Sequence, residues 1–158
     1  MKTIKILSIL TLSSLLFSCA GNKEEGSTST EQSDKQETTK TNVPIKDHLA
    51  IYDFHNEHRC VTCVAIEDAT KEILHKYYQK QLDDGTITFD LYNCEAEENQ
   101  DLVEEYGAFG TTLAFTVFKD GEKLEMRDLT NWAFETINTD EFEPGMKEEI
   151  QISLDKLK

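Results

Sequence analysis

The sequence predicts an α/β domain, a mixed sheet of about four to five strands with helices on both faces. Three observations predict it. Ile87, Phe89 and Leu91 alternate with polar residues, which is the period of a strand, whereas Ile66, Ala69, Ile73 and Tyr77 recur at the spacing of a helix, and the two kinds of segment alternate along the chain. Lys119-Asp120-Gly121 separates two strand-like runs by a tight turn, which makes them an antiparallel hairpin. The last residues return to helical spacing, with Met146, Ile150, Leu154 and Leu157 on one side.

Taken in order, Leu49 to Phe54 is apolar and aromatic and reads as the first strand. After the polar stretch His55 to Arg59, Cys60 opens a helix expected to reach about Gln81, where Asp83-Asp84-Gly85 ends it. Ile87 to Leu91 forms the second strand. Gln100 to Tyr106 is a short helix with Leu102, Val103 and Tyr106 on one side, closed by Gly107. Leu113 to Phe118 is an apolar central strand, and Lys123 to Arg127 is the hairpin partner. A short helix is expected near Asn131 to Thr136, and Pro144 starts the final one. The first three strands, joined by helices, are expected to be parallel with right-handed crossovers, and the hairpin adds an antiparallel edge.

The chain has 158 residues, room for one ordinary domain and its tails. Lys2 and Lys5 precede an apolar run from Ile4 to Phe17. A run of about 14 residues falls short of the roughly 20 that span a bilayer and suits the core of an export leader. Leu16-Phe17-Ser18-Cys19 resembles a bacterial lipobox, which implies lipidation of Cys19, removal of residues 1–18, and a membrane anchor. Residues 19–46 are rich in Ser, Thr, Glu, Gln and Lys and read as a disordered tether, in which Lys23-Glu24-Glu25 resembles the charged export signal of some surface lipoproteins. Residues 47–158 are the folded domain. The expected location is the cell envelope, periplasmic or surface-displayed, on the outer membrane of a Gram-negative bacterium.

A formal charge of −15 without a basic patch argues against nucleic acid and anionic lipid headgroups as partners. Loss of Lys2 and Lys5 with the leader makes the chain more acidic still. In an oxidising compartment, cysteines beyond the lipidated one are expected to form a disulfide or a working redox site.

Cys60-Val61-Thr62-Cys63 follows a strand and opens a helix, and that context turns a bare CxxC into a redox motif. Two intervening residues at a helix start bring both sulfurs within disulfide reach. The free N–H groups and partial positive charge of the helix start stabilise a thiolate on the first cysteine, whose pKa in such pairs is roughly 3.5–7.5 rather than about 8.5. Cys60 is therefore the expected nucleophile and Cys63 the resolving thiol. His58 and Arg59, when charged, would favour the Cys60 thiolate further. This chemistry requires no small cofactor. The expected partners are a protein with a disulfide and a membrane-bound donor or acceptor of electrons.

Tyr52-Asp53-Phe54, the Cys60–Cys63 motif, Tyr106-Gly107-Ala108-Phe109-Gly110 and Phe118-Lys119-Asp120-Gly121-Glu122 resemble the thioredoxin fold in order and spacing, over roughly residues 48–127. More narrowly, His55 to Glu67 with Asp128-Leu129-Thr130-Asn131 and Ala133-Phe134 is similar to a family of small exported thioredoxin-like proteins named for a nitrophenyl-compound nitroreductase subunit. That resemblance implies electron delivery, with a transmembrane thiol-transfer protein as partner. The thioredoxin resemblance implies that Asp53 is the buried acid serving the resolving cysteine if one extra residue is allowed before Cys60; otherwise Asp53 is a polar strand residue. Thr111 or Thr112 stands where thioredoxins carry a cis-proline, and both are expected to line the partner groove; Arg59 replaces the usual Trp. A non-proline cis bond costs about 2.5–4 kcal/mol, so a trans peptide is expected there.

His55, His58, Cys60 and Cys63, with Cys94, form an alternative soft-metal ligand set. Cys94 is expected at the motif's end of the sheet if its strand is parallel to the first, as a third thiol or an inert, half-buried one. Haem attachment is excluded because Val64, not His, follows Cys63. His75 is expected to be solvated, Glu67 and Asp68 to sit on the exposed helix face, and Trp132 and Phe134 to be packing residues.

Overall fold

The computed structural model describes residues 46–158. The expected lipidation site Cys19, the expected leader and nearly all of the expected tether lie outside the described residues. Lys46, the last tether residue, is the first described: its ammonium donates to the Asp84 carbonyl and to Thr86.

Four strands, β1 (His48–His55), β2 (Ile87–Asn93), β3 (Thr112–Lys119) and β4 (Glu122–Asp128), form one sheet in the order β2-β1-β3-β4. The helices are α1 (Val61–Tyr77), α2 (Gln79–Asp83), α3 (Gln100–Tyr106), α4 (Thr130–Thr136) and α5 (Phe142–Asp155). Strand alternation sorts side chains to two faces. Leu49 and Ile51 of β1 and Leu113, Phe115 and Val117 of β3 pack with Ile66, Ile73 and Leu74 of α1, Ala133 of α4 and Phe142, Met146 and Ile150 of α5. Phe54 and Ala114 face the other way, with Val103 of α3, Ala108 and Cys94. Helices thus cover both faces, as expected.

The expected three-strand parallel array is corrected. β2 runs parallel to β1, but β3 runs antiparallel to it, with Leu113 opposite Asp53 and Val117 opposite Leu49. The connection from β2 to β3 folds back on itself: Cys94 at its start lies against Gly110 at its end, Sγ to carbonyl oxygen 3.6 Å. The chain leaving β2 therefore stays at that end of the sheet and enters β3 from there. The β3–β4 hairpin is antiparallel as expected, turned by Asp120 (φ 54°) and Gly121 (φ 82°), a pair of left-handed residues that matches the twist of the strands.

The first helix breaks at Tyr78, not at Gln81. Tyr78, not Tyr77, enters the core, and its hydroxyl donates to the Lys147 carbonyl of α5 at 3.3 Å. Tyr77 turns outward and donates to Glu143. α5 begins at Phe142, so Pro144 lies inside the first turn, where a missing N–H costs nothing. Trp132 stacks on Phe142 at 5.3 Å between ring centres, whereas Phe134 is exposed, contrary to its expected packing role. A Cβ on Gly145 would come within 2.6 Å of Trp132, so that contact requires glycine. Among the described residues no helix is long and apolar enough to cross a membrane.

Candidate functional site

Cys60 caps α1 at the C-terminal end of β1. It is exposed, in extended conformation (φ −76°, ψ 155°), and its sulfur accepts from the Cys63 N–H at 3.0 Å. Cys63 is buried, one turn into the helix. The two are joined as a disulfide, with Cα atoms 5.1 Å apart. An exposed sulfur at the helix start and a buried one behind it form the asymmetry that thiol exchange needs: one sulfur open to a partner, the other shielded until the first has reacted.

Antiparallel β3 decides what stands beside this pair. Thr112 lies opposite Phe54 at the end of the sheet where β1 runs into the motif, and Thr111 precedes it. A parallel strand would have carried both to the far end. The Thr112 hydroxyl donates to the Gly110 carbonyl at 3.3 Å. Cys94, just past parallel β2, is brought to the same end; it is a free, buried thiol that donates to Gly110 O at 3.6 Å. Burial raises its pKa, so it is a poor nucleophile.

The metal ligand set is not assembled. Among the described residues no three His, Cys, Asp or Glu side chains converge as ligands. The His55 ring is engaged with the carbonyl of Asn56 at 3.1 Å, and His58 is exposed.

Beneath α1 lies a cluster the sequence did not reveal. Asp53 points from β1 to the face covered by α1 and is 1% exposed. Arg59 turns inward: one guanidinium nitrogen pairs with Glu67, and another stands 3.7 Å from Asp53. The Arg59 guanidinium thus faces two buried carboxylates. Glu67, expected on an exposed face, is buried and also binds Lys71, while Asp68 is exposed as expected. Helical spacing cannot flag such a carboxylate, because the partner that makes its burial tolerable, Arg59, lies outside the helix.

The two acids differ. Neither oxygen of Asp53 has a hydrogen-bond partner. Burial pushes its carboxyl up to about 7, with Glu67 adding to the rise and Arg59 and Lys71 opposing it. Burial also acts to raise Glu67, but hydrogen bonds from Lys71 and Arg59 outweigh it and hold that carboxyl below its usual value. One carboxylate is a fixed anion; the other can change protonation near neutral pH.

Two apolar side chains also went unmarked in the sequence. Val61, between the cysteines, is 89% exposed, and Phe109, in the loop before β3, is 78% exposed. Val61 carried a readable signal: an apolar residue at the first position of a helix whose buried stripe runs through Cys63 and Ile66 must face outward.

A parallel β-α-β unit followed by an antiparallel hairpin and a closing helix, with CxxC at the first strand–helix junction, settles the architecture. The fold is thioredoxin-like. No family model matches the chain, and no curated protein does. Solved structures that match include a Fasciola hepatica thioredoxin, 17% identical over 68% of this chain and 83% of that one, with a TM-score of 0.42. Thioredoxin f2 of Chlamydomonas reinhardtii is also 17% identical, over 53% of this chain and 68% of its own, with a TM-score of 0.37. A structure described as that of a malarial protein is 10% identical over 65% and 97%, with a TM-score of 0.40.

Proposed function

We propose that this chain is a thiol–disulfide oxidoreductase, an electron-carrying domain held at a membrane of the cell envelope through a lipidated Cys19. The observation that carries the reading is the placement of Cys60 and Cys63: an exposed sulfur at a helix start with a buried sulfur behind it. In the reductive direction, the Cys60 thiolate attacks a disulfide of a partner protein, forming a mixed disulfide and releasing one partner thiolate. Cys63 then attacks the Cys60 sulfur. The Cys60–Cys63 bond forms, the bond to the partner breaks, and the partner leaves reduced by two electrons. The proton of the Cys63 thiol passes to Asp53, which desolvation makes a competent acceptor near neutral pH. Thr111 and Thr112 border the groove where the partner strand lies. A transmembrane thiol-transfer protein would renew the dithiol, and a nitro-reducing partner is one acceptor to which electrons would pass.

Two measurements test this. Cys63→Ser should trap a partner, or a model peptide disulfide, as a stable adduct on Cys60; absence of any adduct with a peptide disulfide would count against exchange. Titration against glutathione should give a potential above about −300 mV. A lower value would make the bond structural.

A further inference from the structure

The buried cluster beneath α1 is unevenly satisfied. Both oxygens of Glu67 are engaged, one by Arg59 and the other by Lys71. Asp53 accepts no hydrogen bond, although an Arg59 nitrogen, itself without a hydrogen-bond partner, stands 3.7 Å away. Its strand neighbours are Leu91 on β2 and Leu113 on β3, which bring no charge. The charged groups acting on Asp53 are therefore Arg59 from the loop and Glu67 and Lys71 from α1; Cys94 is the nearby thiol. Two cations converge on this cluster, and the carboxylate that holds them is the one farther from the β-strand.

We propose that Glu67 is a positioning residue for proton transfer at the Cys60–Cys63 pair: by engaging Arg59 and Lys71 it keeps both cations from closing on Asp53, and so leaves Asp53 able to take up and release a proton. The proposal rests on the redox reading above. A guanidinium hydrogen-bonded to Asp53 would hold it as a permanent anion and remove its use as an acceptor. Without any cation, Asp53 would hold its proton too firmly to accept another. Glu67 sets the balance by dividing the positive charge.

The test is the direction of the shift in paired variants. Glu67→Gln removes a repelling anion and frees Arg59, so the Asp53 midpoint should fall by about one pH unit or more. Arg59→Gln and Lys71→Gln each remove an attracting cation, so it should rise. The midpoint is read from the Asp53 carboxyl carbon by NMR in the oxidised protein, which needs no redox activity. The pH profile of exchange with a small disulfide, read in the reduced protein, should move the same way, and Asp53→Asn should abolish that pH-dependent limb. Loss of packing alone would not produce opposite signs. If Glu67→Gln does not fold, Lys71→Gln, on a half-exposed stem, still tests the upward shift. A Glu67→Gln midpoint that stays or rises, a Lys71→Gln midpoint that does not rise, or an exchange profile that ignores the titration overturns the proposal. A wild-type protein that does not exchange at all, with the NMR shifts as expected, instead overturns the redox reading.

Discussion

The two faces of the sheet solve the problem of buried polarity in opposite ways. On the α3 face the polar atoms belong mainly to tyrosines and a threonine, with the half-buried Asp90 carboxyl of β2 opposite Tyr52. Tyr52, Phe54, Tyr92 and Tyr106 pack edge to face or tilted, with ring centres 5.2–6.2 Å apart, and the Tyr106 hydroxyl bonds Thr116 at 2.8 Å. Burial pushes the phenols further from ionisation, Tyr92 to about 12 and Tyr52 higher still. The Tyr52 and Tyr92 phenols stay neutral at any physiological pH, and burial raises the Asp90 carboxyl beside them. On the α1 face, under the helix that Cys60 caps, Asp53, Arg59 and Glu67 keep charge inside the protein with Lys71 at the edge, and one member titrates near neutrality. Neutral hydroxyls give stability without pH sensitivity. Buried ions carry a desolvation cost and gain a proton that can move.

That contrast can be broken first at its most stable point. Phe54→Ala removes a fully buried ring from the aromatic face and should cost about 3–5 kcal/mol, read from the denaturant midpoint. The loss should change less between pH 5 and pH 8 than the effect of an Asp53 substitution, because the Tyr52 and Tyr92 phenols that Phe54 packs on stay neutral over that range.

Asp53→Asn should do the reverse. The folded protein holds the Asp53 proton until about pH 7, whereas the unfolded chain releases it near 3.9. Between these values the unfolded state binds fewer protons, so wild-type stability falls as pH rises. The penalty is absent below about pH 4 and complete above about pH 7. Asp53→Asn should therefore be more stable than wild type at pH 8, by about 2–4 kcal/mol at ~1.4 kcal/mol per pH unit, and close to it at pH 4. Equal denaturation curves at pH 8 would remove the distinction between the faces.

Smaller effects sharpen the picture at the rims. Gly145→Ala forces Trp132 off Phe142 and should cost about 1–3 kcal/mol, visible as altered tryptophan fluorescence. Lys123 lies over the Tyr106 ring at 4.2 Å and pairs with Glu105. Lys123→Ala should cost about 0.5–1 kcal/mol, part of it lost in high salt. Cys94→Ala should change stability least, and in the folded, oxidised protein Cys94 should resist iodoacetamide at pH 8 because burial raises its thiol pKa.

Most of the elements were legible because local rules govern them. Alternation marked β2, the Asp-Gly turn marked the hairpin, and Gln100 to Tyr106 was read with the bounds it has. The cysteine pair was legible for the same reason, since a strand, a short polar loop, the motif and a helix follow one another in order. What could not be read depends on parts of the chain that meet only when folded. The ends of α1 turned on whether Tyr77 or Tyr78 finds a buried acceptor, and Lys147, the residue that provides it, is on α5. Glu67 read as a surface charge because nothing in its own helix reveals that Arg59 reaches it.

The sequence by itself determined where most strands and helices lie and that two cysteines open a helix. Each of these is set within a few residues. Only the tertiary structure decided the direction of β3, and with it that Thr111 and Thr112 stand at the motif's end of the sheet. It also decided that Asp53 is a titrating acid and Glu67 a fixed anion. The same carboxyl group becomes one or the other according to which donors reach it and how much water is excluded, and those are properties of neighbours that sequence order does not specify.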